Sequence, residues 1–167
     1  LTIVALSLIA TTIVTSSSNA AQMQQRNTVT GTHGEILNVS QATKISAGAT
    51  LVVTGQHFDE TVGIYVAMCT VVPVGQLPTP CGGGADMTGN AGASAWISSN
   101  PPTYGVGLAK PYLPGGRFAV KIKVSPIIKD GTKVIDCRTS KCAIYTRADH
   151  TRGDNRSYDF FIPITFK

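Results

Sequence analysis

GRFAVKIKVS, residues 116–125, alternates without a break. Phe118, Val120, Ile122 and Val124 fall on one side of it, and Arg117, Ala119, Lys121 and Lys123 on the other. Successive side chains of a strand point to opposite faces, so this stretch belongs to a sheet with one dry face and one wet face. A dry face needs a second layer to cover it. The rest of the sequence offers that layer as further strands. Residues 35–40, 49–55, 63–69, 94–98, 133–137, 142–146 and 158–166 are short β-prone runs separated by turn residues. In 63–69, Ile64, Val66 and Met68 share a face opposite Tyr65, Ala67 and Cys69. In 158–166, Phe160, Ile162, Ile164 and Phe166 share one. Beyond the first twenty residues, no stretch repeats its apolar positions at the helical period. The expected fold is all-β, an immunoglobulin-like antiparallel β-sandwich of seven to eight strands.

Between these strands lie two irregular stretches. Residues 72–92 contain Pro73, Pro78, Pro80 and the run Cys81-Gly82-Gly83-Gly84, which exclude regular pairing. Residues 101–115 are similarly rich in Gly and Pro. Asp130-Gly131 is a strong turn signal. Trp96 is expected in the core, although it does not lie in the Cys-Trp-Cys arrangement of antibody domains.

The N-terminus has a different character. Residues 1–14, LTIVALSLIATTIV, are apolar, and Ser18-Asn19-Ala20 forms a small-x-small signal before Ala21. These are the h-region and c-region of a secretory signal peptide over residues 1–20, with the cationic n-region missing. The run is short for a membrane span, and none is expected once the leader is removed. Residues 21–34 are polar and read as a flexible tail, leaving 35–167 as the sandwich domain. The expected location is secreted or in the cell envelope.

Export gives the four cysteines their meaning, because thiols oxidise outside the reducing cytosol. Four cysteines allow three connectivities, and sequence alone does not choose among them. Cys69 with Cys81 and Cys137 with Cys142 are the local pairs, which short-loop closure favours. Zinc sites use Cys-x2-Cys spacings or added histidines, and neither is present, so no metal or other cofactor is expected.

Charge is unevenly distributed. Residues 1–109 hold two cations and four anions, net −2, whereas residues 110–167 hold twelve cations and five anions, net +7. A basic half can attract acidic polymers or acidic proteins, and it also serves as a solvated sheet face. No specific nucleic-acid motif accompanies it.

Signs of catalysis are weak. Asp149 and His150 are suitable types for acid–base or metal chemistry, but neighbours on a strand point apart. An ion-pair network with Arg147, Arg152, Asp154, Arg156 and Asp159 is the simpler expectation. No Gly-x-Ser-x-Gly elbow occurs, and Gly82-Gly83-Gly84 lacks the lysine and helix of a phosphate loop. Arg152-Gly153-Asp154 spells an adhesion tripeptide that only an exposed loop tip would make usable. A non-enzymatic protein is expected. Aromatic residues are the binding candidates: Trp96, Tyr104, Tyr112 and Tyr145, with Phe118 assigned to the buried face.

One arrangement resembles a known family. Gly131-Thr132 leads through Val134 to Asp136-Cys137, and Cys142 follows after four residues. An earlier strand ends in Cys69, a Gly/Pro-rich loop returns to Cys81, and an apolar strand closes with Phe166. In this order the features resemble the neocarzinostatin family, apoproteins that carry enediyne chromophores in actinomycetes. The likeness extends over roughly residues 36–166. It implies a seven-stranded immunoglobulin-like sandwich, two local disulfides and a loop-walled ligand cleft at one end. It also implies a secreted carrier of a small apolar or aromatic molecule. This sequence departs from the family in having no aromatic in Thr70-Val71-Val72, a longer Cys69–Cys81 loop and a charged segment over 146–151. The chain resembles, less closely, immunoglobulin-like modules of actinobacterial surface proteins. These imply the alternative role of an envelope module binding acidic polymers or protein partners.

Overall fold

The computed structural model describes residues 27–83 and 90–167. The expected leader and residues 21–26 of the expected tail lie outside the described residues.

In chain order the strands are β1 (Thr28–Thr30), β2 (Ile36–Val39), β3 (Thr50–Gln56), β4 (Ile64–Thr70), β5 (Ser94–Ile97), β6 (Phe118–Lys123), β7 (Ile127–Asp130), β8 (Lys133–Asp136), β9 (Cys142–Ala148) and β10 (Phe160–Ile164). One antiparallel sheet has the order β1-β2-β3-β6 and the other β10-β9-β4-β5. The strands β7 and β8 form a separate hairpin. The all-β sandwich is therefore as expected, with both disulfides local: Cys69–Cys81 and Cys137–Cys142.

The alternation in 116–125 does what its pattern requires. Phe118, Val120, Ile122 and Val124 are all buried, while Lys121 and Lys123 face water. Leu51 and Val53 of β3 join them from the same sheet, and Ile64, Val66, Met68, Ile144 and Ile162 meet them from the other. The end of the core near Phe118 is aromatic. Phe118 lies 5.2 Å from Phe58 and 6.4 Å from Tyr112, both edge-on, and Phe58 lies 6.0 Å from Phe160. The Phe118 ring occupies the space beside Gly55, its cross-strand partner. A Cβ at residue 55 would fall 2.0 Å from the ring, which is why a glycine interrupts this strand.

Several expectations change at the sheet edges. Thr28–Thr30, inside the expected tail, pairs with β2, and Asn38 donates to the Thr28 hydroxyl at 2.7 Å. Its two β-branched threonines flanking Val29 suit an edge strand. Residues 127–130 form a strand that the pattern does not announce, because Pro126 and the charged pair Lys129-Asp130 blur its alternation. The Asp130-Gly131 turn is present and joins β7 to β8, with Gly131 at φ 58°. Trp96 is not in the core. Ile97 takes the inward position at the end of β5, so Trp96 points outward across from Tyr65.

Candidate ligand cleft and aromatic clasp

The outer face of β10-β9-β4-β5 carries most of the polar and aromatic side chains that the sequence singles out. Register places Tyr65 opposite both Trp96 and Arg147. The Arg147 guanidinium carbon sits 5.6 Å from the Tyr65 ring centroid, a cation–π distance. After β9 the chain enters a single 3-10 turn, His150–Arg152. His150 is held there by two phenols: Tyr104 Oη lies 2.5 Å from Nε2, and Tyr65 Oη hydrogen-bonds to Nδ1. A neutral imidazole has one N–H and one lone pair, so one phenol accepts and the other donates.

Asp149 is buried beneath this group. Its carboxylate accepts from Trp96 Nε1 at 2.8 Å, from Thr151 N at 2.9 Å and from Thr151 Oγ1 at 2.6 Å. Asp149 is thus not paired to arginines as the charge pattern suggests, since the indole and the turn satisfy it instead. Of that expected network, the Arg156–Asp159 pair forms at 3.0 Å. The Trp96 ring is closed over from above, because a Cβ on Gly105 would fall 2.4 Å from it. These residues make a clasp that fastens the 101–115 loop to the turn after β9. Arg152-Gly153-Asp154 is exposed beside it.

Trp96→Phe removes the indole donor and leaves a buried carboxylate oxygen short of a partner. The expected loss is about 2 kcal/mol or more, the range for an orphaned buried acceptor with charge. Urea unfolding checks this, with Tyr104→Phe, at an exposed ring, expected to have a smaller effect.

The four aromatic candidates do not converge. Trp96 and Tyr104 come together, with ring centroids 6.5 Å apart. Tyr145 lies farther along the same sheet face, opposite Ala67, stacked on Phe161 at 4.9 Å. Tyr112 is on the other side of the sheet, buried in the core, and donates to Val62 O at 3.0 Å. The part of the outer face near the disulfide is filled. Ala67, Cys69, Ala143 and Tyr145 form an apolar cluster of their own, with Val71, Cys81 and Phe161 packed on it. The Tyr145 hydroxyl is buried there, and burial raises its pKa.

Burial acts on Asp159 in the same direction. Among the described residues one of its carboxylate oxygens is buried without a partner, and burial raises its pKa to about 6 against the pull of Arg156 and Arg147. A carboxyl whose folded pKa lies above its ordinary value of 3.8 favours the folded state most when protonated in both states. Stability should therefore decline as pH rises from 3.8 through about 6. Thermal unfolding across that window reads it out, and Asp159→Asn should flatten the decline.

An open concavity lies elsewhere, at the edge where the two sheets meet. It has a volume of about 490 Å³ and runs between Gly82-Gly83, Ala93 and the start of the β7–β8 hairpin. Met68, Ala93, Ile127 and Ile128 give it apolar lining, and Lys123 and Lys129 stand on it. Its walls are tied down by backbone. Gly82 N donates to Met68 O at 2.7 Å, Lys123 N to Gly92 O at 2.7 Å and Cys137 N to Pro126 O at 2.7 Å. None of the four aromatic candidates is among its lining residues. Sequence reasoning missed this cleft because its parts are a turn, a loop end and a hairpin distant in the chain. The available signals were the glycines after Cys81 and the turn at Asp130-Gly131.

No protein-family model matches this sequence, and no curated protein matches it. Solved structures do. Macromomycin matches over 80% of this chain and 100% of its own, at 16% identity and a TM-score of 0.50. Apokedarcidin, known from its solution conformation, matches over 84% of this chain and 99% of its own, at 17% identity and a TM-score of 0.47. Macromomycin is of the neocarzinostatin family, which the cysteine layout resembles. This chain has the fold of macromomycin.

Proposed function

We propose that the protein is a secreted, non-enzymatic carrier that holds a small apolar molecule in the cleft between Gly82-Gly83 and the β7–β8 hairpin. The observation that carries this reading is the cleft itself: about 490 Å³, with lining drawn from Met68, Ala93, Ile127 and Ile128. Small-molecule sites are typically about 300–1,000 Å³, concave and mostly apolar. Each wall hangs on a disulfide. Cys69–Cys81 ties Gly82 to β4, and Cys137–Cys142 ties the open end of the hairpin, beside Pro126 and Ile127, to β9. A pre-formed cleft binds without a large ordering cost. The fold shared with macromomycin and the family resemblance support a carrier over an enzyme. The cleft also presents no acid–base pair among the described residues, since its ionisable side chains are two lysines.

The test is fluorescence titration with the neutral probe N-phenyl-1-naphthylamine. The wild-type protein should show saturable emission at one site. Ala93→Phe, which projects a ring into the cleft from a half-buried position, should abolish it without lowering the melting temperature by more than a few degrees. Unchanged binding in Ala93→Phe would place the ligand elsewhere.

A further inference from the structure

Deepening the cleft reading, we infer that the ligand carries an acidic group, so that the occupant is an amphiphilic anion such as an aromatic or aliphatic carboxylate or sulfonate. Two cations line the cleft, Lys123 at the end of β6 and Lys129 on β7. Among the described residues neither is in an ion pair, and no carboxylate lines the cleft. Among the described residues, the nearby acidic side chains are committed or turned away. Asp136, opposite Ile127 in the hairpin, is held bidentately by Arg138, with the shortest contact at 2.6 Å. That interaction keeps its pKa at about 2, so it stays an anion engaged with its own partner. Asp130 follows Lys129 in the strand and points to the opposite face, in register with Lys133.

Apolar lining beside two unpaired ammonium groups holds a neutral ring less tightly than an anionic one and disfavours a cation. It suits a molecule that buries a ring or chain and leaves one negative group at the lysines. The uneven charge of the sequence, net +7 over residues 110–167, points the same way over a longer range. A lysine is a flexible point charge, which suits an anion of undefined geometry better than a bidentate fork would.

Two probes with the same ring system isolate the charge: neutral N-phenyl-1-naphthylamine and its sulfonated counterpart, 8-anilinonaphthalene-1-sulfonate. At low salt the sulfonate should bind about tenfold more tightly, and added sodium chloride should shrink that margin. Lys123→Gln with Lys129→Gln should abolish the margin and leave the neutral probe within about twofold. Both lysines are exposed, so the double variant should fold normally. Equal affinities in the wild type, or a double variant that weakens both probes alike, would overturn the inference while leaving the cleft reading intact. Failure of both probes to bind at all would overturn both readings.

Discussion

Phe118→Ala should lower the unfolding free energy by about 3–5 kcal/mol, the range for deleting a buried phenylalanine ring. Three features put this site at the upper end. The ring is a shared partner of Phe58 and Tyr112, so its loss leaves two large rings facing a void. Its other neighbour is Gly55, which has no side chain with which to refill the space. The backbone behind it also resists collapse. Gly116 has φ +61°, and a Cβ there would fall 1.9 Å from the Phe58 carbonyl oxygen, so the chain is already in close contact. Urea denaturation should show a lower midpoint with an unchanged slope, the signature of lost stability in an intact two-state fold. A loss below about 1 kcal/mol would mean that the aromatic end of the core repacks freely.

Replacing Cys69 and Cys81 together by alanine should cost about 3 kcal/mol, from the loop-closure entropy of a ring of roughly this length. Replacing Cys137 and Cys142 should cost less, about 2 kcal/mol, because the closed loop is shorter. The two variants should also differ in binding. Without the first disulfide, Gly82-Gly83 is held to β4 by the Gly82 N–Met68 O hydrogen bond and the short pairing at residue 81. Probe affinity should then fall by an order of magnitude or more, even at temperatures where the sandwich remains folded. Urea midpoints paired with probe titrations separate these effects. Equal affinity in the variant that lacks Cys69–Cys81 would show that the wall of the cleft needs no covalent tie.

Strands with two-sided chemistry were legible, whether central like β4 or at a sheet edge like β6. In β6 the alternation is strict, and in β4 Ile64, Val66 and Met68 separate cleanly from Tyr65, Ala67 and Cys69. Burial follows both patterns on the inward side. The shortest strands were less legible. The strand β1 has three residues and β7 has four, too few for a period to emerge, and pairing with a neighbour makes each of them a strand. Trp96 was misplaced because its strand is nearly all small or apolar, so only the burial of Ile97 reveals which face is inward. The disulfide pairs were legible from their separations. The cleft was not, since Gly82, Ala93 and Ile127 meet through tertiary packing. The aromatic candidates drew attention through their size. The structure uses Trp96 and Tyr104 as a clasp, Tyr112 as core and Tyr145 as filler over the disulfide, so ring size alone did not distinguish fastening from binding.

Native mass spectrometry of the protein purified from its own source tests the carrier reading most directly. The account predicts a non-covalent adduct of a few hundred daltons, retained by the wild type and absent from Ala93→Phe prepared in the same way. Bare protein in both preparations, or an adduct that survives Ala93→Phe, would contradict it.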